Sequence, residues 1–233
     1  MKAVLLAAGK GTRLRPLTDK MPKVMIPIAG KPILEHHIVH LAEAGIQEIF
    51  INLHHLPERI TSHFENGKKW GVRIQYSFEP EILGTAGAVK KLEGELRGVP
   101  FLVVYGDNFS KFDFADFISW SEKAGGLGAV AVFEKEDVAG SGVVDIGSGD
   151  RIVRFIEKPE PNDVISHWVN AGIYQLSEDI FNALPSGYSD FGHDIFPEVI
   201  KRGMKLFAYR SKEPVWAIDH VELLDELSQR LGR

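Results

Sequence analysis

The stretch Met1-Lys2-Ala3-Val4-Leu5-Leu6-Ala7-Ala8-Gly9-Lys10-Gly11-Thr12-Arg13-Leu14-Arg15-Pro16-Leu17-Thr18, followed by Pro22-Lys23, decides how the chain is read. Its first eight residues have the composition of a buried β-strand, and they run straight into a glycine-rich turn. At the carboxyl end of a first strand in an open α/β sheet, such a turn exposes backbone N–H groups without a side chain in the way, which suits phosphate. Two familiar phosphate loops do not fit. The four-residue gap before Gly-Lys-Ser/Thr of an ATPase loop is missing, and Leu14 stands where a dinucleotide fingerprint needs its third glycine. Between Gly9 and Lys31, Lys10, Arg13, Arg15, Lys20, Lys23 and Lys31 face a single acid, Asp19, on a chain of formal net charge −5. A local positive patch on an acidic background points to a polyphosphate held in a cleft and away from a nucleic-acid surface.

With 233 residues, 44% of them hydrophobic and 25% charged, the chain is expected to bury one large core. The absence of cysteine excludes disulfides and thiolate metal sites. No early stretch resembles a signal peptide and no apolar run is of bilayer-spanning length, so a soluble, cytoplasmic protein without membrane partners is expected.

Strand-like runs at 3–7, 48–54, 73–78, 101–105 and 128–133 alternate with helix-like segments at 33–42, 86–96 and 113–123. That rhythm predicts a Rossmann-like α/β fold, an open, mostly parallel mixed sheet with helices on both faces. Further on, 142–146 and 152–157 flank Gly147-Ser148-Gly149-Asp150 as a hairpin. Strands at 168–175 and 206–210 and helices at 194–202 and 221–231 follow. The whole is read as one domain, 1–233, with a nucleotide-binding half to about residue 135 and a second half beyond it.

Asp107 in Gly106-Asp107-Asn108 ends a strand that should be central, where ligands of open α/β sheets collect. Asp219 ends Val215-Trp216-Ala217-Ile218 in the same manner, a position equally suited to capping the closing helix with Glu222 in reply. Mg²⁺ is commonly held by one or two carboxylates together with substrate phosphates and water, which these two aspartates could supply opposite a phosphate loop. His36, His37 and His40 on one helix, and His54 and His55 at a strand end, lack metal-ligand spacing and suit surface, interface or capping roles. The histidine-rich helix leaves a homo-oligomer open.

These elements resemble the sugar-1-phosphate nucleotidyltransferase family, the NDP-sugar pyrophosphorylases. The resemblance rests on Gly9 to Pro16 with Pro22-Lys23, Pro27, Lys31-Pro32, Leu83-Gly84-Thr85-Ala86-Gly87, Gly106-Asp107, Glu157-Lys158-Pro159, Asn170-Ala171-Gly172 and Asp219, in that order. It implies the nucleotide-diphospho-sugar transferase fold. It also implies that Gly9, Gly11 and Arg13 cradle a triphosphate and that Lys23 assists at the reacting phosphate, with Arg13, Lys23 and Asp107 as the catalytic set. Leu6, Ala8, Thr12, Glu79, Gly84, Thr85 and Asp107 complete the nucleotide pocket, and Asp107 and Asp219 hold Mg²⁺. Asn108, Gly142, Glu157, Lys158 and Asn170 meet the sugar 1-phosphate.

Chemistry agrees with this. Phosphate monoesters lose their second proton near a pKa of about 6, so the nucleophile arrives ionised and no general base is needed. The absence of a nucleophilic cysteine or a Ser-His pair is then expected. The base is read as guanine in preference to uracil or thymine. An acceptor-only carboxylate at Glu79 suits guanine's two adjacent donors, and the Leu83 to Gly87 segment is similar to that of guanylyltransferases. Asn108 is instead shared with uridylyl- and thymidylyl-transferring relatives. Other readings remain: a cytidylyltransferase acting on a non-sugar phosphate such as phosphocholine, or a regulatory subunit that binds an NDP-sugar without turnover. The chain ends without the extension that acetyltransferase- or repeat-bearing relatives append, so a single activity is expected.

Overall fold

The opening apolar run forms strand Lys2–Leu6, in which Ala3, Val4 and Leu5 are wholly buried. It pairs in parallel with Glu48–Leu53, which pairs in parallel with Arg73–Phe78. The middle strand is buried on both faces, so it reads as an almost unbroken apolar run. In this computed structural model, residues 1–218 are described together with Leu223, Leu224 and Leu227.

The chain divides into two compact units. The first contains residues 1–82, 104–111 and the described residues from 215 onward, and the second contains 83–103 and 112–214. The division does not coincide with a boundary near residue 135. Strand Phe101–Tyr105 belongs to both, because the chain passes from one unit to the other between Val103 and Val104.

In the first unit the strand order is Val104-Tyr105, Lys2–Leu6, Glu48–Leu53, Arg73–Phe78. Helix Ile33–Glu43 buries Ile33, Leu34, Ile38 and Leu41 at helical spacing, and Gly45, at φ 83°, follows it. A second helix, Pro57–Phe64, was not anticipated. It has proline in its first turn but buries only Ile60 and Phe64, too short an apolar face to register as periodicity. Leu14, Ile26, Ile28, Ile33, Phe109, Ile218 and Leu227 form a separate apolar cluster in this unit. A short ribbon, Asn108–Phe109 against Trp216–Ala217, contributes to it.

The second unit is mixed. Gly142–Ile146 and Ile152–Glu157 form the expected antiparallel hairpin, and Trp168–Leu176 runs antiparallel to Gly128–Glu134. Leu206–Arg210 pairs in parallel with Gly128–Glu134. Helix Phe114–Ala124 begins at Asp113, whose side chain accepts from the Asp116 N–H at 2.9 Å. The helix read over 86–96 is instead two, Gly84–Lys91 and Glu93–Leu96, separated at Leu92. The segment read as 194–202 starts earlier, as a wide turn at Phe191–Ile195 capped by Asp190, before Phe196–Lys201 continues as α-helix. Phe191 and Phe196 of this segment pack ring against ring with Tyr174, and Phe196 also with Phe155.

The helix read at 221–231 lies outside the described residues apart from Leu223, Leu224 and Leu227. Among the described residues, no helix is long and apolar enough to cross a membrane.

Candidate active site

The glycine turn is fixed at its start and at its centre. At its start the Ala7 N–H donates to Asn52 Oδ1 at 2.6 Å. At its centre Gly11 adopts φ 61°, the left-handed region, and its carbonyl accepts from the Leu14 N–H at 3.0 Å and the Thr18 hydroxyl at 2.8 Å. A Cβ on Gly11 would come within 2.9 Å of Thr18 Cγ2 and 3.1 Å of Lys23 Cβ, so conformation and space both demand glycine. Gly9 has open space where a Cβ would go, and Thr12 and Arg13 are exposed. Gly9, Gly11, Thr12, Arg13, Leu14, Lys23 and Asp107 together line a cavity of about 200 Å³. Ala8 is buried and Leu6 half-buried at the end of the first strand.

Asp107 reaches that cavity because Gly106 lets two strand ends close on each other. The Gly106 N–H donates to the Leu6 carbonyl at 2.9 Å, and a Cβ on Gly106 would lie 2.8 Å from the same oxygen. Lys23 Nζ donates to Asp107 Oδ2 at 2.6 Å, with the lysine side chain 7% exposed and the aspartate 36%. Two residues separated by most of a hundred positions in sequence thus meet at the mouth of the glycine turn. The next residue, Asn108, has its carbonyl 2.6 Å from His37 Nε2. Burial holds the His37 imidazole down at about 4, and the charges of His40 and His36 add to this. The Asn108 hydrogen bond and the Asp107 charge oppose it.

The donors suit a hard divalent cation in one respect: Asp107 offers a partly exposed carboxylate at the cavity lined by the glycine turn. Among the described residues no group of three or more His, Cys, Asp or Glu converges as a closed metal cage, so substrate oxygens and water would complete the sphere. Asp219, the second carboxylate expected there, lies outside the described residues.

Glu79 lies at the end of strand Arg73–Phe78. It is fully buried, and its Oε1 accepts from Asn52 Nδ2 at 2.8 Å while Asn52 holds Ala7. His54 Nδ1 lies 2.8 Å from its carbonyl. The carboxylate braces adjacent strand ends, and nothing in the sequence spacing distinguished that from a ligand contact.

Gly84, Thr85, Gly142, Glu157, Lys158 and Asn170 belong to the second unit. The glycines of the Leu83 to Gly87 segment answer to the protein's own backbone. A Cβ on Gly84 would lie 2.4 Å from the Ser189 carbonyl oxygen, and one on Gly87 would lie 2.2 Å from that of Gly187. The Thr85 hydroxyl donates to Asp190 Oδ2 at 2.8 Å and accepts from the Phe191 N–H at 2.8 Å.

Gly142 and Gly192 leave room for one carboxylate. A Cβ on either would fall 2.6 Å or 2.4 Å from Glu157 Oε2. Burial, with the charge of Asp190, raises the Glu157 carboxyl above its ordinary range, against Lys158 and His193. Lys158 is exposed, at φ 49°. Asn170 sits at the expected strand irregularity, accepting from the Gly172 N–H at 3.0 Å and donating to the Tyr174 hydroxyl at 2.8 Å. Sequence reasoning passed over Gly192, Asp190 and Asn52, whose partners are distant along the chain except within the Asp190 turn, and gave His37 a surface, interface or capping role where the side chain is 4% exposed.

Residues 2–217 match the family model described as nucleotidyl transferase. A UTP–glucose-1-phosphate uridylyltransferase of Synechocystis sp. is 36% identical over 222 residues, covering 89% of this chain and 57% of that one. A mannose-1-phosphate guanylyltransferase of Mycobacterium tuberculosis is 32% identical over 209 residues, covering 89% and 58%. HddC from Yersinia pseudotuberculosis, solved in complex with GMP-PN, shares the fold at a TM-score of 0.82 and 26% identity, with 99% of each chain covered. The chain therefore spans a little over half the length of these two curated relatives.

Proposed function

As the chain belongs to the nucleotidyl transferase family, we propose that it moves a nucleoside monophosphate from a nucleoside triphosphate to a sugar 1-phosphate, releasing pyrophosphate. The observation that carries this reading is the Lys23–Asp107 contact at the rim of the cavity built by Gly9 to Leu14. A polyphosphate there meets exposed backbone at Gly9 and Gly11, the Arg13 guanidinium and, once the ion pair opens, the Lys23 ammonium.

Transfer of this kind needs alignment and charge stabilisation and little else, because the attacking phosphate is already ionised. Lys23 neutralises charge growing on the oxygens of the phosphate under attack, and Arg13 holds the departing pyrophosphate. Asp107 orients Lys23 and would hold Mg²⁺ together with Asp219. When bound, that ion supplies electrostatic neutralisation of the triphosphate oxygens. Lys158 is proposed to bind the phosphate of the sugar 1-phosphate, and Glu157 to accept from sugar hydroxyls. Gly142 shapes the space that Glu157 occupies, with Asn108 and Asn170 completing the set.

A guanine preference rests on the Leu83 to Gly87 resemblance and on the Glu79 carboxylate, one oxygen of which accepts from Asn52. Pyrophosphate release measured across GTP, UTP, dTTP and CTP, each against mannose, glucose and N-acetylglucosamine 1-phosphates and phosphocholine, tests both the class and the base. Turnover with one sugar 1-phosphate is expected. Turnover with phosphocholine alone, or tight NDP-sugar binding with no release from any pair, would replace this reading.

A further inference from the structure

Helix Ile33–Glu43 turns two consecutive histidines toward backbone carbonyls. His36 Nε2 lies 2.8 Å from the Ile28 oxygen, with its ring edge-on to Phe109 at 5.1 Å. His37 Nε2 lies 2.6 Å from the Asn108 oxygen. A carbonyl only accepts, so each ring presents Nε2–H to it. His37 is 4% exposed on a face otherwise buried through Ile33, Leu34, Ile38 and Leu41, where an apolar side chain would satisfy packing. Its imidazole is the polar exception, and it is used on the residue directly after Asp107.

That residue is held from two sides. Asn108 and Phe109 pair antiparallel with Trp216 and Ala217, with Asn108 opposite Ala217. Two residues per strand make a ribbon too short to fix its own orientation. His37 anchors it to a long helix, and Leu34 of the same helix lies against Gly106, with Cδ1 3.2 Å from where a Cβ would be. The turn Gly106-Asp107-Asn108 is thus clamped on both flanks by side chains one helical turn apart.

We propose that His37 is a positioning residue for the transfer reaction: by holding the Asn108 carbonyl it sets the direction in which Asp107 offers its carboxylate to Lys23 and to a divalent cation. This rests on the role given to Asp107 above. Imidazole supplies a donor of fixed reach with no permanent charge to compete with Lys23 for the aspartate.

The comparison that tests it is His37→Leu against His37→Gln. Leucine fills the volume without a donor, and the glutamine amide places a donor at similar reach. His37→Leu is expected to lower kcat and Mn²⁺ affinity about tenfold each, the scale typical of groups that orient a metal ligand. Mn²⁺ affinity is read by electron paramagnetic resonance in the presence of the triphosphate that is turned over. KM for the sugar phosphate should stay near the parent value, and His37→Gln should recover most of both losses. Equal kcat and equal Mn²⁺ binding in the two variants would overturn the inference, as would a leucine variant that loses only thermal stability. Should His37→Leu fail to fold, His37→Gln against His37→Asn makes the same comparison, since the asparagine amide stops one carbon short. Asp107→Asn separates the layers. If it keeps full turnover, the role of Asp107 falls and this inference with it, whereas an inactive Asp107→Asn beside a normal His37→Leu refutes His37 alone.

Discussion

Lys23 Nζ and Asp107 Oδ2 stand 2.6 Å apart, the lysine almost wholly buried and the aspartate one-third exposed. Removing one member of such a pair leaves the other in different trouble. Asp107→Ala takes a charged partner from a mostly buried ammonium and is expected to lower stability by about 1–3 kcal/mol. Lys23→Met keeps the volume and removes the charge, so stability should change by no more than about 1 kcal/mol. Turnover should fall about a hundredfold or more in both, because charge stabilisation at the reacting phosphate is lost. Urea denaturation and pyrophosphate release, run on the same preparations, separate the two effects. Near-parent turnover in Lys23→Met would remove the lysine from the reaction.

Gly11→Ala places a Cβ at φ 61° and against Thr18 and Lys23. The backbone strain alone is about 1–2 kcal/mol, which for a chain of this size lowers Tm by roughly 2–8 °C. The Lys23 side of the clash should also raise KM for the triphosphate. A scanning calorimetry trace unchanged from the parent would show that the turn has another conformation available.

Gly192→Ala should behave in the opposite way. Gly192 is not in the left-handed region, and the atom its Cβ would meet is the far end of Glu157. The carboxylate can move aside, so the fold should survive with Tm within about 2 °C of the parent. KM for the sugar phosphate should rise several-fold if Glu157 contacts the sugar. Glu157→Gln supplies the complement. The raised carboxyl means that the folded state binds a proton more readily than the unfolded one, so its contribution to stability declines as pH rises through that range. The glutamine variant should therefore be at least as stable as the parent at neutral pH, yet weaker in turnover.

The buried His37 makes stability depend on pH in a defined direction. Its folded value of about 4 lies below the ordinary imidazole value of 6.5, so the unfolded chain binds the extra proton between them. Stability is full above about pH 6.5 and declines as pH falls toward 4, by roughly 3 kcal/mol at most. His37→Gln should flatten that part of the profile in urea titrations at successive pH values. An identical slope in parent and variant would assign the acid sensitivity elsewhere.

The strands at 73–78, 101–105, 142–146, 152–157 and 206–210 were legible to the residue, because apolar runs bounded by glycine, proline or charge carry their own limits. So were the glycine turn and the strand-end aspartate, since both follow from local chain geometry. The bond between Asn52 and Glu79 was not legible for a physical reason: it joins neighbouring strands, and no local pattern announces it. Gly84 and Gly87 look alike in sequence whether a ligand or the backbone at Ser189 and Gly187 comes close. The pairing of His37 with Asn108 crosses 71 positions and lies beyond any window of periodicity.

The chain's repeated passage between its two units bears on how this molecule can be dismantled. One unit is assembled from three separated stretches, the other from two. Severing the polypeptide at residue 135 would therefore divide both: the amino-terminal piece would lack Val215 to Ile218, the carboxyl-terminal piece would lack Leu83 to Val103, and neither would carry a whole unit. Exchanging halves with a relative to transplant specificity should yield insoluble product, whereas grafting single loops such as Leu83 to Gly87 respects the weave.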